Sequence, residues 1–238
     1  MRWYEAVMSL LYPHTCPMCG KYNGEGQGNI CAACLDALPR TEQAEVRENM
    51  TEMTLWGEHK TPFAAQKAMH LMRAAAFMFY EKEHPVQRLI HLMKYADRPE
   101  IGLQLGREAA KEFLYSDFFD EIDVIMPVPL HKNRLRSRGY NQSEYIARGL
   151  SGITGIPVDT GHLLRIRDTP KQALQTGEAR KANVEGAFAV THPEQMYRKH
   201  ILLVDDLITT GETARACLKA MKRFRGARFS VFALCKAR

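Results

Sequence analysis

No stretch of the 238-residue chain holds about 18 consecutive apolar residues, so no membrane-spanning helix is expected. Nor is a secretory signal expected. The opening MRWYEAVMSLLYPHTCP carries one early Arg, but Glu5 interrupts its apolar residues and no small-residue cleavage site follows. Repeats and low-complexity tracts are absent, which excludes repeat architectures. Cysteine is sparse at six, and without an export signal those six point to a reducing cytoplasm, where metal binding is expected before disulfides. What remains is ordinary for a soluble globular protein: 45% apolar and 25% charged residues, with a net charge of +6 that leaves room for anionic partners. A chain of this length can bury a full core, as one domain with an appendage or two small ones.

Four of the cysteines fall in two pairs, Cys16/Cys19 in CPMC and Cys31/Cys34 in CAAC. Each C-x2-C suits a knuckle that aims two thiolates at one ion, and two knuckles complete a tetrahedral site for structural Zn²⁺. Gly20, Gly24, Gly26 and Gly28 fill the loop between them. A thioredoxin-like redox use of the pairs is the weaker alternative, since neither follows a strand in a βαβ context. Cys217 and Cys235 read as small buried hydrophobes.

Along the rest of the chain, residues 3–12 read as a short amphipathic helix stopped by Pro13, and 36–61 as a polar, Glu-rich linker. The expected division is a zinc module with linker over 1–60 and a second domain over 61–238. Residues 63–80 contain an apolar segment that is either strand or buried helix. Helices are expected over 84–95, 100–119, 143–150 and 212–224, and strands at 124–126, within 156–167, from 200 and over 229–234.

The richest stretch is ILLVDDLITTGET, Ile201 to Thr213. Its four leading apolar residues suit a strand buried on both faces. Asp205 and Asp206 follow, then Thr209, Thr210 and Gly211 open a helix whose apolar face takes Ala214, Cys217, Leu218 and Met221. In an open parallel sheet, ligands lie beyond the carboxyl ends of strands, and the free N–H groups of a helix start favour phosphate. The hydroxyls of Thr209, Thr210 and Thr213 add donors, and Gly211 admits close backbone approach. The two Asp suit sugar hydroxyls, or Mg²⁺ bridging them. Carboxylates beside an anion cradle describe a ligand with a diol at one end and a phosphate at the other, as in a ribose 5-phosphate.

A second anion site is expected in LHKNRLRSRGYNQ, Leu130 to Gln142. Read as an extended loop, it puts Arg134, Arg136 and Arg138 on one side, as forked donors for a pyrophosphate. Between Leu130 and Ala182 Lys and Arg outnumber Asp and Glu by ten to four, an excess equal to the net charge of the whole chain. That excess suits one diphosphate or a track of nucleic-acid phosphates, with Tyr140, Tyr145 and Phe188 near enough in sequence to stack on bases. The polar run from Asp168 to Gly186 reads as a functional cover over a reactive diphosphate, with Asp168, Gln172, Arg180 and Asn183 as its working residues.

The strand–Asp-Asp–Thr-Thr-Gly stretch resembles the signature of type I phosphoribosyltransferases. That resemblance implies Asp205 and Asp206 on the ribose hydroxyls or Mg²⁺, with Thr209, Thr210, Gly211 and Thr213 around the 5-phosphate. Taken nearly end to end, YPHTCPMCG…CAAC, LMKY, PVPLHKNRLRSRGYNQ, the Arg165 to Phe188 series and VDDLITTGET make the chain similar to the ComF family. That family joins a four-Cys zinc module to a phosphoribosyltransferase-like domain, an α/β fold with a parallel sheet flanked by helices. The resemblance implies Lys94, Arg134 and Arg138 on pyrophosphate or another anion, and Gln172, Arg180 and Asn183 in a flexible loop. It further implies phosphoribosyl pyrophosphate or a nucleoside monophosphate as ligand, single-stranded DNA and a helicase-like competence protein as partners, and a cytoplasmic role in DNA uptake. Whether the protein turns over is left open. The alternative is an active phosphoribosyltransferase of nucleotide salvage or biosynthesis with no DNA role.

Overall fold

The computed structural model describes residues 15–24, 29–44, 46, 49–56, 64, 68–168 and 186–238. In chain order these hold α1 (Ala32–Asp36), α2 (Met50–Trp56), β1 (Leu71–Tyr80), α3 (Pro85–Tyr95), α4 (Glu100–Phe113), β2 (Val124–Pro127), α5 (Lys132–Arg138), α6 (Gln142–Thr154), β3 (Leu163–Arg165), β4 (Phe188–Val190), β5 (His200–Ile208), α7 (Glu212–Met221) and β6 (Arg228–Ala237). Four strands form one parallel sheet in the order β1-β6-β5-β2, and β3 and β4 form a separate antiparallel pair. The expected parallel sheet flanked by helices is therefore present, and 71–80, left between strand and helix by its pattern, is the long edge strand. The expected helix over residues 3–12 lies outside the described residues.

Both sheet faces are covered, which is why the strands read as unbroken apolar runs. Leu202 and Val204 of β5 join a core built with Leu89 and Met93 of α3, Leu105 of α4 and Ile146 of α6. Ile201 and Leu203 face the other way, onto Leu55 of α2 and Cys217, Leu218 and Met221 of α7. The predicted face of α7 is thus the buried one, and Cys217 and Cys235 are buried core residues.

The outer edge of β1 is closed by the polar stretch that the sequence presents as a linker. Thr41 N donates to Phe77 O, Phe79 N donates to Pro39 O, and Arg40 and Met78 form an antiparallel bridge. Farther along the same edge, Gln43 Oε1 accepts from Ala76 N at 3.0 Å, Glu52 Oε1 from Ala74 N at 3.1 Å, and Asn49 Nδ2 donates to Ala74 O at 2.9 Å. Side-chain amides and carboxylates here stand in for the strand that an open edge would otherwise recruit. Their polarity, not a lack of contacts, gives the segment its linker-like composition.

α4 and α6 cross at two glycines. A Cβ on Gly149 would meet Leu103 O at 2.4 Å and Gly106 Cα at 2.9 Å, and one on Gly106 would meet Ile146 O at 2.4 Å. Only hydrogen fits at this crossing, and it sets where the N-terminus of α6 lies. Gly149→Ala is expected to cost about 2 kcal/mol or more, roughly 5 °C in Tm. Gly152→Ala on the same helix would meet nothing nearer than Arg107 Nε at 3.9 Å and is expected to be neutral or stabilising. Calorimetry of the two variants checks the contrast.

Candidate zinc and ligand sites

The N-terminal knuckles close as their spacing predicts. Cys16 N donates to Lys21 O at 2.9 Å and Gly20 N to Cys16 O at 2.8 Å, a turn that Gly20 completes at φ +72. Cys31 opens α1, and its N–H points at Cys16 Sγ at 3.5 Å. The four sulfurs of Cys16, Cys19, Cys31 and Cys34 all lie within 4.8 Å of one another. Cys19 and Cys31 Sγ are 3.8 Å apart, the separation that two thiolates about 2.3 Å from a tetrahedral ion require. Burial opposes the Cys16 thiolate, but N–H groups of Cys31, Cys19 and Met18 outweigh it and lower its pKa to about 6. Burial and the adjacent sulfurs push the Cys34 thiol up, a penalty that a divalent cation would remove. The donor set fits structural zinc.

The second site lies where two adjacent parallel strands send their chains to opposite faces. After β2 the chain passes by way of α5 to α6 on one side, and after β5 it passes to α7 on the other. A crevice at the carboxyl ends of β2 and β5 follows from that topology. β2 ends at Pro127, paired with Val204, and the next two residues of β5 are Asp205 and Asp206.

Both carboxylates are buried, at 8% and 5% exposure, and both meet the N-terminus of α6. Asn141 caps that helix by accepting from Ser143 N, and its amide donates to Val128 O at 3.0 Å, tying the helix start to the end of β2. Gln142 Nε2 donates to Asp206 Oδ2 at 2.6 Å, and Ser143 Oγ lies 3.4 Å from Asp205 Oδ1. Lys94, in the last turn of α3, reaches Asp206 Oδ1 at 2.8 Å. Burial works against the Lys94 ammonium, but Asp206 overcomes it and raises the pKa. Burial first, and then the charge of Asp206, push Asp205 up to about 7. One carboxylate is therefore paired with a cation and the other sits poised between protonation states.

The threonine turn follows directly. Gly211 occupies the left-handed region at φ +77 and caps α7. A Cβ there would meet Arg215 Nη1 at 3.0 Å and Leu55 Cδ2 at 3.1 Å. Arg215 fixes the turn from behind, donating to Thr210 O at 2.7 Å and Thr54 O at 2.6 Å and pairing with Glu212. Thr209 and Thr210 are exposed, and Thr213 lines the same cleft as Asp205, Asp206 and Lys94. The first N–H groups of α7 have no intrahelical acceptor. Thr213 is thus brought to the carboxylates, while Thr209 and Thr210 are exposed on the turn that precedes it.

The basic stretch differs from its expected extended form. His131 caps α5 by accepting from Asn133 N, and Gly139 ends it at φ +84. Helical spacing puts Arg134 and Arg138, four residues apart, on one face and turns Arg136 outward. Arg134 and Arg138 line the cleft, whereas Arg136 is exposed and is not among its lining residues. Arg138 also pairs with Gln142, the residue that holds Asp206. Asp168 crosses to this helix, accepting from Asn133 Nδ2 at 2.9 Å. That bond, then His131 and Arg134, hold its carboxyl below the usual range. Arg165 completes the basic lining, its pKa lowered by burial and by the charge of Arg134. Gln172, Arg180 and Asn183 fall outside the described residues.

Of the aromatic residues singled out for stacking, Tyr140 is buried with its hydroxyl on Met93 O at 2.6 Å, and Phe188 is buried in the core. Tyr140 still reaches the cleft wall, but the exposed aromatic there is Tyr95, beside Lys94, which no periodicity singled out.

Comparison with known proteins bears on each part separately. Residues 7–44 match the family model described as a double zinc ribbon domain, although that segment holds only four cysteines, enough for one ion. Two solved structures align with part of the chain: the glutamine phosphoribosylpyrophosphate amidotransferase of B. subtilis and the hypoxanthine phosphoribosyl transferase of Trypanosoma cruzi. The first aligns at 19% identity over 59% of this chain and 30% of that one, with a TM-score of 0.38. The second aligns at 10% identity over 59% and 74%, with a TM-score of 0.33. Among curated proteins, competence protein F of Haemophilus influenzae is 34% identical over 117 residues, 48% of this chain and 51% of that one. The DNA utilization protein YhgH of Escherichia coli (strain K12) is 32% identical over 155 residues, 64% of this chain and 67% of the relative. A relative matched at that identity over two thirds of its own length places this chain, as its motifs suggested, in the ComF family of competence and DNA utilization proteins.

Proposed function

We propose that the crevice between β2 and β5 binds a phosphoribosyl ligand, phosphoribosyl pyrophosphate or a nucleoside monophosphate, and that the protein couples this pocket to the handling of single-stranded DNA during uptake. The observation that carries the reading is the cleft shared by two buried carboxylates and Thr213, in the first turn of a helix capped by Gly211. Asp205 and Asp206 take the ribose hydroxyls and would hold a Mg²⁺ ion, which would supply positive charge against the diphosphate. Thr209, Thr210, Gly211 and Thr213 take the 5-phosphate, and Lys94, Arg134 and Arg138 face the pyrophosphate or a strand phosphate. Lys94 then has two states, paired with Asp206 when the cleft is empty and shared with the ligand when it is full. The DNA role draws on the relatives, a competence protein and a DNA utilization protein, and on the basic lining of the cleft; in this reading the protein works on the cytoplasmic side beside a helicase-like partner.

A stabilisation screen tests the ligand. Phosphoribosyl pyrophosphate with Mg²⁺ is expected to raise Tm in a concentration-dependent way, and ribose 5-phosphate to do so more weakly. Salt dependence tests the DNA arm. Single-strand affinity should fall steeply with salt, and Arg134→Ala should flatten the log–log slope by about 0.7. Retention of the sugar phosphate with no DNA binding near physiological salt would favour a nucleotide-metabolising transferase instead.

A further inference from the structure

The cleft does not end at the sugar-phosphate cradle. Beyond Lys94 it opens between the end of α3 and one face of α5 into a space of about 750 Å³, a volume that suits a ligand larger than a sugar phosphate. Tyr95 stands at the junction, lining both the inner crevice and the outer cleft. It is 53% exposed, unlike Tyr140, which is buried a few residues from α5. Arg138 lies over the Tyr95 ring with its guanidinium carbon 5.4 Å from the centroid, and His91, one turn back on α3, backs the ring at 4.9 Å between centroids.

We propose that Tyr95 is the stacking platform for a nucleobase. The proposal rests on the phosphoribosyl reading of the inner crevice and names what lies beyond it. Three features support a base rather than another flat group. The ring lines both the inner crevice and the outer cleft, so a group stacked on it lies within reach of the sugar-phosphate cradle. The surface beside it carries Arg134 and Arg138, so a phosphate attached to the stacked group meets charge of the right sign. The rim also offers hydrogen-bonding groups of both kinds, the Asp97 carboxylate and the Asn133 and Ser137 side chains, suited to the edge of a base. Arg138 at present holds the ring face by a cation–π contact. An entering base takes that face, and the guanidinium moves to the phosphate that arrives with it. Stacking is tolerant of base identity because every base has a π-face, and so the platform serves a free nucleotide or one base of a strand equally.

The test compares affinities for three probes in wild type, Tyr95→Ala and Tyr95→Phe: phosphoribosyl pyrophosphate, which has no base, adenosine monophosphate, and a short oligothymidine. The ratio of base-bearing to base-free affinity is expected to fall about tenfold in Tyr95→Ala and to be kept in Tyr95→Phe. A purely structural role for Tyr95 would move all three affinities together. Tyr95→Trp supplies a second readout, its emission quenched by adenosine monophosphate or the oligonucleotide and not by phosphoribosyl pyrophosphate. An effect confined to the oligonucleotide identifies a strand base as the natural occupant, and one on both identifies a nucleotide site. An unchanged ratio in Tyr95→Ala, or a wild type that binds neither base-bearing probe, overturns the proposal. Absence of phosphoribosyl pyrophosphate binding in wild type instead overturns the reading of the inner crevice.

Discussion

Asp205→Asn combined with Asp206→Asn is expected to weaken phosphoribosyl pyrophosphate binding in the presence of Mg²⁺ by about a hundredfold or more, since two charge-assisted contacts are lost at once. The single variants should agree in binding and disagree in stability, which separates loss of the site from loss of the fold. Asp206 is the partner of a partly buried ammonium, so Asp206→Asn leaves Lys94 without its counter-charge and lowers Tm. Asp205 behaves oppositely. Its pKa is raised from 3.8 to about 7, so between those values the folded chain holds a proton that the unfolded chain releases, and stability falls as pH rises through that window. Asn cannot pay that ionisation penalty, and Asp205→Asn should therefore melt several degrees higher than wild type at pH 8, with the gain vanishing below about pH 4. Binding follows the same group in reverse. On the proposed phosphoribosyl reading the sugar hydroxyls or Mg²⁺ call for an ionised Asp205, and phosphoribosyl pyrophosphate affinity in wild type should increase as pH rises from 6 to 8. Calorimetric Kd values from pH 6 to 8 and Tm values from pH 4 to 8 check all three signs. A pH-independent Tm difference between wild type and Asp205→Asn would remove the poised carboxylate from the account.

What the chain disclosed before its structure was whatever depends on local spacing. Ile201 to Val204 could only be a doubly covered strand, and the order Asp-Asp, Thr-Thr-Gly, helix is the order in which β5, the turn and α7 present them. The cysteine pairs were legible because two residues between ligands is a geometric requirement of the knuckle. Three things were not legible, each for a physical reason. α5 is a helix because His131 and Gly139 cap seven residues that contain only one large apolar side chain, Leu135, too few for a hydrophobic period to register. The closure of the β1 edge depends on Gln43, Asn49 and Glu52 meeting backbone groups 22 to 33 residues away, as the separations of those bonds show, and composition alone cannot distinguish such side chains from solvated ones. Tyr95 came to the cleft because α3 ends there, a consequence of packing against β1 and α4 and not of its neighbours in sequence. Arg136 illustrates the cost of the wrong period: alternation made it a ligand, and the helix turns it to solvent.

Removal of zinc should be felt well beyond the residues that bind it. The ribbon does not hang from the sheet domain; Cys16, Ile30 and Leu38 belong to the same core as Phe77 and Leu105. Gln104 of α4 clasps it, accepting from Asn29 N and Ile30 N at 2.8 and 2.9 Å and donating to Ile30 O at 3.0 Å, while Arg98 donates to Asn29 Oδ1 at 3.1 Å. A segment this short has no core of its own, so metal loss should unfold it, uncover that face of α4 and lower the Tm of the whole chain by about 10 °C. Cys19→Ser should reproduce the effect of a chelator, whereas Cys235→Ala, which touches no ligand position, should keep one zinc per chain by metal analysis. Gln104→Ala separates metal binding from docking: the four sulfurs remain, so zinc is retained, but the clasp is gone and Tm falls. Because α4 sets α6 through Gly106 and Gly149, and α6 brings Gln142 and Ser143 to the two aspartates, the same variant should also weaken phosphoribosyl pyrophosphate binding severalfold without touching the cleft. Zinc-free protein that melts and binds like the loaded form would show that the ribbon stabilises only itself.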